Sequence, residues 1–230
     1  MPSINNTHSK QDYKWIILGD IHDDITRLNE IPKLKNATGV IISGDLTFNG
    51  GVEQAEKVIC AIKKYNTNIL AQIGNMDKKE ITVWLKENKL NLHTEVHELT
   101  PEICILGVGA STLTPFATPS EYPESKFTEW LDSTWQKAKN YQKQILISHN
   151  PPKDTLCDVI NGGIHVGSTA LREFIEKKQP TICICGHIHE ACNTDYIRDT
   201  LIINPGNFAA GGYVILYIID GKISAELKHL

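Results

Sequence analysis

Five short apolar segments, each followed directly by a cluster of polar residues, dominate the pattern of this chain. Each segment has four to six residues, is rich in Ile, Val and Leu, and lacks alternating polar positions. Runs of this kind are typical of strands that are buried on both faces. The five predicted strands span residues 14–18, 38–42, 68–73, 144–147 and 181–184.

Stretches with the apolar spacing of helices lie around and between these strands. An alternation of strands and helices predicts βαβ units and largely parallel strand pairing. The predicted helices span residues 25–34, 53–65, 78–89, 126–140 and 169–178.

Other apolar segments are joined by short turns and predict antiparallel hairpins. The dipeptide Asp220-Gly221 is the strongest of these turn signals. The whole pattern predicts one α/β domain over residues 13–230, preceded by a polar, flexible arm at residues 1–12. The predicted hairpin strands are 92–98 with 103–108, 195–199 with 201–203, and 213–219 with 222–227.

The composition is that of a folded domain, and it excludes several other classes of protein. Of the 230 residues, 41% are hydrophobic and 22% are charged, which excludes wholesale disorder and fibrous repeats. The longest apolar run, residues 213–219, has seven residues, far fewer than the ~20 that span a bilayer. We therefore expect no membrane partner. The polar arm lacks the apolar stretch of an export signal, and the six cysteines form no Cys-x-x-Cys pair, so a reducing cytoplasm is expected.

The charge balance argues against a protein held to nucleic acid by a basic face. There are 23 Lys and Arg against 27 Asp and Glu, a net charge of −4, with no block of like charges. A small anionic substrate stays compatible with this balance because bound metal ions would reverse the local field. The oligomeric state is left open.

Each of the five predicted strands is followed by residues that can bind a metal ion. Ligands in open α/β sheets bind beyond the carboxyl ends of the strands, so we expect these side chains to meet. In extended chain, residues two apart point the same way, so an Asp-x-His pair and a His-x-His pair each offer two ligands. Glycines beside four of the ligands are expected to let the backbone turn sharply. The candidate ligands are Asp20, His22, Asp45, Asn75, His149, His187 and His189.

Seven ligands exceed the needs of one tetrahedral zinc, which takes four, or three plus a water. They suit two divalent ions a few ångströms apart, bridged by one carboxylate that is best assigned to Asp45. Such ion pairs stabilise the attacking and leaving oxygens of an in-line phosphoryl displacement. The expected partner is therefore a small phosphoester substrate. The ligand types fit Mn, Fe, Zn or Ni and do not choose among them.

The motifs GDIH, GD, GNMD, SHNPP and GHIH occur in this order within residues 14–207. This ordered set resembles the calcineurin-like metallophosphoesterase superfamily. The resemblance implies a four-layer sandwich of two mixed β-sheets flanked by helices, and hydrolysis by a hydroxide that bridges two metals. The implied ligands are Asp20, His22 and His189 for the first ion, Asn75, His149 and His187 for the second, and Asp45 as the bridge.

One position departs from the family pattern. Where the family often has Gly-Asn-His-Asp, this chain has Met76 in place of the histidine, followed by Asp77. In the family this histidine sits beside the leaving oxygen and is supported by the aspartate. A thioether has no proton to give, and general acid help is worth ~10²–10⁴ in rate. Because small members that replace this histidine favour diesters, the resemblance implies a phosphodiesterase, with His149 as a possible hydrogen-bond donor.

Two weaker candidates for substrate contact are His165 and Ser168, which precede a helical segment. A helix start favours anions, although capping of the helix by Ser168 is the simpler interpretation. Loops 111–125 and 152–166 are expected to set specificity. Two alternative functions are a non-catalytic scaffold of the same fold and a nuclease or cyclic nucleotide hydrolase. The complete ligand set argues against the scaffold, and the lack of a basic surface argues against a processive nuclease.

Overall fold

A computed structural model describes residues 12–230, so the predicted arm at residues 1–12 lies outside the described residues apart from Asp12. The α-helices in this part of the chain are α1 (Val52–Lys63), α2 (Glu80–Glu87), α3 (Glu124–Ala138) and α4 (Thr169–Lys178). The strands are β1 (Tyr13–Leu18), β2 (Gly39–Ile42), β3 (Ile69–Ala71), β4 (Val96–Thr100), β5 (Ile103–Val108), β6 (Ser111–Thr112), β7 (Glu121–Tyr122), β8 (Lys143–Ser148), β9 (Val159–Ile160), β10 (Ile164–His165), β11 (Ile182–Ile184), β12 (Asn193–Ile197), β13 (Thr200–Asn204), β14 (Gly212–Ile219) and β15 (Lys222–His229).

Two mixed sheets form the centre of the fold. The first has the strand order β15-β14-β1-β2-β3, in which β1, β2 and β3 are parallel. The second has the order β12-β13-β11-β8-β5-β4, with four parallel central strands and an antiparallel strand at each edge. Two short two-stranded sheets, β6 with β7 and β9 with β10, belong to the loops above them.

Alternating side chains cover both faces of each sheet. In β1, Ile16 packs into a core with the residues of α1 and α2, while the next residue, Ile17, points to the space between the sheets. In β11, Cys183 packs with α3 and α4, and Ile184 faces the first sheet. Three apolar cores therefore separate four layers, in the order helices, sheet, sheet, helices. The predicted four-layer sandwich is confirmed.

Four predicted helices form, but the one expected at residues 25–34 does not. This region carries two short 3-10 helices, Leu28–Glu30 and Leu34–Asn36. Pro32 has no N–H for a helical hydrogen bond and disfavours helical geometry at Ile31, which is extended with ψ 115°. The leucines of both 3-10 helices are buried, so their spacing reflects packing against the core rather than an α-helix.

The predicted hairpins form as antiparallel pairs, β4 with β5, β12 with β13, and β14 with β15. At the last of them Asp220 and Gly221 have φ of 52° and 73°, the left-handed geometry that a two-residue hairpin turn requires. Among residues 12–230, no helix combines the length and the apolar character needed to cross a bilayer.

Glu124 joins the N-termini of α3 and α4. Its carboxylate accepts hydrogen bonds from the Ser168 hydroxyl at 2.7 Å and from the N–H groups of Thr169 and Ala170 at 2.8 and 3.0 Å. The Ser168 oxygen in turn accepts from the Leu171 N–H at 3.1 Å, which makes it the N-cap of α4. A carboxylate here satisfies orphan N–H groups and faces the positive end of the helix dipole.

Replacing Glu124 by Gln is therefore expected to lower the free energy of unfolding by about 1–2 kcal/mol, because one acceptor becomes a donor and the charge is lost. Glu129→Gln is the control, since Glu129 is exposed and pairs only with Lys126 among the ion pairs of the described residues. Its effect should stay below about 0.5 kcal/mol. Urea unfolding followed by circular dichroism measures both changes, and equal effects would contradict this role of Glu124.

Candidate metal centre

The seven predicted ligands follow β1, β2, β3, β8 and β11, and the two sheets bring them to one cleft at the carboxyl ends of these strands. Six of them line this cleft. The seventh, His149, is fully buried behind it, and its ring centroid is 5.2 Å from that of His187. The structure thus brings together side chains that are up to 169 positions apart in sequence.

Asp20, His22 and His189 form a first group of ligand atoms. The Nε2 atoms of the two histidines are 3.2 Å apart. The Asp20 Oδ1 atom lies 3.3 Å from Nε2 of His189 and 3.9 Å from Nε2 of His22. Two imidazole nitrogens and a carboxylate oxygen therefore face one another, which is the arrangement of groups that share a cation.

Asp45, Asn75 and His149 form a second group. The Nε2 atom of His149 is 3.0 Å from Oδ1 of Asn75 and 3.4 Å from Oδ2 of Asp45. Asp20 also contributes, because Asp20, Asp45 and His149 each offer a ligand atom within 4.8 Å of the others. The backbone N–H of His187, whose ring lies beside that of His149, donates to the Asp20 carboxylate at 3.0 Å.

Asp45 lies between the two groups. Its Oδ2 atom is 3.7 Å from Nε2 of His22 and 3.4 Å from Nε2 of His149. Its Oδ1 atom accepts a hydrogen bond of 2.7 Å from the Met76 N–H, which fixes the orientation of the carboxylate. One oxygen atom of Asp45 therefore faces ligands of both groups.

The backbone at the ligands differs from the extended geometry that we expected. Left-handed φ angles occur at both residues of the Asp-x-His pair, and such conformations cost about 1–3 kcal/mol each. The loops after β1 and β2 impose them through mutual hydrogen bonds, from the Asp20 N–H to Gly44 O and from the His22 N–H to Asp45 O. The left-handed ligands are Asp20 (φ 51°), His22 (φ 47°), Asp45 (φ 52°) and His187 (φ 69°).

The glycines beside the ligands provide space more than sharp turns, which corrects the expectation for three of the four. Only Gly44 has a left-handed φ, 139°, and a Cβ there would also overlap the His149 ring. A Cβ at Gly74 would collide with the Asp45 carboxylate, and one at Gly186 with the Asp20 carboxylate. These positions need hydrogen because the carboxylates pack directly against the backbone.

Buried carboxylates set the electrostatics of the centre. Burial lowers the pKa of His149, but the negative charge of Asp45 and Asp20 outweighs it and raises that pKa to about 9. Loss of hydration and the nearby His149 lower the pKa of His187 to about 4. Burial opposes ionisation of Asp20, yet its hydrogen bond to His189 keeps its pKa below the usual range. The centre thus favours bound positive charge, either a proton or a metal ion.

The donor set fits divalent metal ions. Imidazole nitrogens, carboxylate oxygens and one amide oxygen face a common space, and no thiol is among the ligand groups found in the described residues. Such mixed nitrogen and oxygen donors suit divalent ions of the first transition series.

Asp77 holds the loops that carry two of the ligands. Its Oδ2 atom accepts from the N–H groups of Leu46 and Gly74, and its Oδ1 atom accepts from the N–H and the hydroxyl of Thr47, all within 3.0 Å. Burial and the neighbouring charge of Asp45 raise the pKa of Asp77 to about 7, although the hydrogen bonds from Gly74 and Thr47 lower it. Asp77 therefore supports the loops after β2 and β3, and both of its carboxylate oxygens already accept hydrogen bonds.

The contacts that orient Asn75 could not be predicted from the sequence. Its Nδ2 atom donates to the Thr118 hydroxyl at 2.9 Å, so its Oδ1 atom is turned toward His149. Glu121 accepts hydrogen bonds from the N–H groups and hydroxyls of both Thr118 and Thr114. No local pattern marks these residues, because their relation depends on how the loop of residues 113–120 folds.

His165 and Ser168 have other contacts in the structure. Nδ1 of His165 lies 2.7 Å from Oδ1 of the buried Asp158, and this hydrogen bond raises the pKa of His165. The Ser168 hydroxyl is buried between Glu124 and the start of α4. Neither residue is among those that line the cleft, so a role in substrate binding stays a prediction.

The cleft above the candidate ligands has a volume of about 1180 Å³. Its walls come from the loops predicted to set specificity, through residues such as Leu113, Phe116 and Val166, and from Phe48 after β2. No lysine or arginine is among the described residues that line it.

A model of the calcineurin-like phosphoesterase family matches residues 13–191, which is most of the chain. The chain belongs to this family. Calcineurin-like phosphoesterases are metal-dependent hydrolases of phosphate esters, and the candidate ligands of this member lie where its strands end.

Relatives of this calcineurin-like phosphoesterase are known in sequence and in structure. An uncharacterized protein of Methanocaldococcus jannaschii is 37% identical over 171 residues, covering 72% of this chain and 76% of that protein. The Thermus thermophilus protein TT1561 has a TM-score of 0.68 at 15% identity, covering 94% and 99% of the two chains. A dimetal phosphatase of Danio rerio has a TM-score of 0.67 at 10% identity, covering 94% and 96%. The last two comparisons show a shared fold.

Thr118→Val is expected to weaken Mn²⁺ binding by about 10–100-fold, because it keeps the shape of the side chain but frees the Asn75 amide to rotate. Thr118→Ser keeps the hydroxyl and should bind Mn²⁺ nearly as well as the unchanged protein. Titration of Mn²⁺ followed by electron paramagnetic resonance measures both affinities. Equal losses in the two variants would exclude this orienting role.

Proposed function

We propose that this chain is a phosphodiesterase that uses two divalent metal ions and cleaves its substrate by in-line attack of a hydroxide on phosphorus. One observation carries the proposal: a single oxygen of Asp45 lies within 3.7 Å of Nε2 of His22 and within 3.4 Å of Nε2 of His149. A carboxylate between two sets of nitrogen donors is what a bridging ligand requires. Membership of a metal-dependent phosphoesterase family supports the same reaction class.

The side chains that would hold the ions are already oriented by the protein. When bound, two such ions supply polarisation of the phosphate oxygens and a hydroxide at neutral pH. The Met76 N–H orients Asp45, and Thr118 orients Asn75. Burial lowers the pKa of His187 to about 4, which favours the neutral ring that a metal ion binds. We assign Asp20, His22 and His189 to one ion, Asn75, His149 and His187 to the other, and Asp45 to both.

The scarcity of side chains that can donate a proton to the leaving group supports a diester rather than a monoester as substrate. Met76 lines the cleft beside Asn75 and has no proton to donate to a leaving alkoxide. His149 is fully buried, which disfavours it as a proton source for the leaving group. Diesters with acidic alcohols need this help least, and a diester carries one negative charge instead of two.

We propose that the substrate is a small phosphoester. We also propose that the protein is located in a reducing compartment such as the cytoplasm. The absence of lysine and arginine among the described lining residues disfavours a long nucleic acid, which relies on many phosphate contacts. The six cysteines, all within the described residues, are free thiols, in keeping with a reducing compartment.

Asp45→Asn and His187→Ala are expected to lose most bound metal and to lower diester hydrolysis by more than about 100-fold, since even outer partners of metal ligands are worth about 10–100-fold. His229→Ala, at an exposed histidine of β15, is the control and should change neither quantity. Metal content by mass spectrometry and hydrolysis of bis(p-nitrophenyl) phosphate with Mn²⁺ test this. Full turnover by either metal-depleted variant would end the proposal.

Met76→His is expected to raise kcat/KM for monoesters with poor leaving groups, because it restores a side chain that can donate a proton. The gain should be about tenfold, below the ~10²–10⁴ of a fully supported acid, since both Asp77 oxygens are already occupied. Met76→Leu is the matched control, because a leucine side chain cannot donate a proton. Hydrolysis of phenyl phosphate measures the effect, and equal rates for the two variants would mean that position 76 is not the place of the acid.

A further inference from the structure

Exposed apolar side chains surround the candidate metal centre. Phe116, Leu113 and Phe48 are 81%, 69% and 67% exposed and all line the cleft. Ile160 of β9 and Val166, which directly follows β10, line it from another part of the chain. Large apolar side chains exposed together at one place, rather than singly, mark a surface that binds another molecule.

We call the side chains of Phe48, Leu113 and Phe116 the apolar lip. This lip is in contact with the candidate ligands. The Phe48 ring meets the His22 ring edge to face, with centroids 5.8 Å apart. Leu113 and Phe116 lie on the loop that Glu121 fastens, and the same loop reaches Asn75 through Thr118. The loop that carries Leu113 and Phe116 is therefore hydrogen-bonded to a candidate ligand of the centre.

The charges around the cleft complement a single phosphate and nothing further. Among the described lining residues there are four carboxylates, those of Asp20, Asp24, Asp45 and Glu190, and no lysine or arginine. Two divalent ions would neutralise these four carboxylates and would still bind one phosphate directly, whereas no positive side chain remains for a second phosphate. The volume of about 1180 Å³ exceeds the ~300–1,000 Å³ typical of pockets for drug-sized ligands, so there is room for much more than a phosphate.

We propose that the substrate is a phosphodiester whose retained alcohol carries an uncharged hydrocarbon chain, and that this chain lies against Phe48, Leu113 and Phe116. The inference rests on the proposed phosphodiesterase function and specifies its substrate class. Burial of the chain against the lip supplies binding energy that a polyanionic substrate cannot obtain in a cleft without cationic side chains.

A series of p-nitrophenyl alkyl phosphates with methyl, butyl and octyl chains tests the proposal, because the leaving group stays constant. With Mn²⁺ and below micelle-forming concentrations, kcat/KM should rise about twofold for each methylene that becomes partly buried, and about 100-fold from methyl to octyl. The p-nitrophenyl ester of thymidine 5′-phosphate is the competing probe. It should be a poorer substrate than the octyl ester.

Side-chain variants locate the effect. Phe116→Ser and Leu113→Ser, both at exposed positions, should each lower the octyl-to-methyl ratio of kcat/KM by about five- to tenfold. Val83→Ser removes an apolar side chain of α2 that is 58% exposed and lies outside the cleft, and it should leave the ratio unchanged. A ratio that Val83→Ser lowers as much would overturn the proposal.

Binding of methyl alkylphosphonates to the Mn²⁺-loaded protein gives a readout without turnover. Calorimetry should show tighter binding and a more negative heat capacity change for the octyl than for the methyl compound. If the methyl diester is hydrolysed but chain length has no effect, or the thymidine ester is preferred, the inference fails and the proposed function stands. If no diester is hydrolysed, the proposed function itself fails.

Discussion

Two buried carboxylates, Asp20 and Asp45, are the constraint on which the rest of this structure depends. Each is almost fully buried at the junction of the two sheets, where an unpaired negative charge is costly. Surrounding histidines and backbone N–H groups offset part of that cost, and the two carboxylates raise the pKa of the buried His149. A divalent cation would offset the remainder, which gives a physical reason for a metal site at this place.

The surrounding chain is organised to keep these carboxylates in position. The loops after β1 and β2 bond to each other and accept left-handed backbone at the ligands, and glycines leave room for the carboxylates. Asp77 links the loops after β2 and β3, while Glu121 fastens the loop that orients Asn75. Because that same loop carries Leu113 and Phe116, the chemistry of the centre and the shape of the apolar lip depend on one set of hydrogen bonds.

The strands and the candidate ligands could be predicted from sequence because their signals are local. A buried strand that ends in Gly-Asp, Gly-Asn, Ser-His or Gly-His is visible within six residues, and five such endings in order specify the strand edge at which the ligands meet. The helix expected at residues 25–34 was wrong because apolar spacing alone does not register the effect of Pro32. The left-handed ligands and the Thr118 contact could not be predicted, since they arise from hydrogen bonds between loops distant in sequence.

The central claim is that ligands from five strand ends hold two cations, one on each side of Asp45. Anomalous diffraction from crystals grown with Mn²⁺ tests it most directly. The account predicts two peaks about 3.5–4 Å apart, one beside His22 and His189 and the other beside Asn75 and His149, with Asp45 touching both. A single peak, or peaks remote from Asp45, would contradict it.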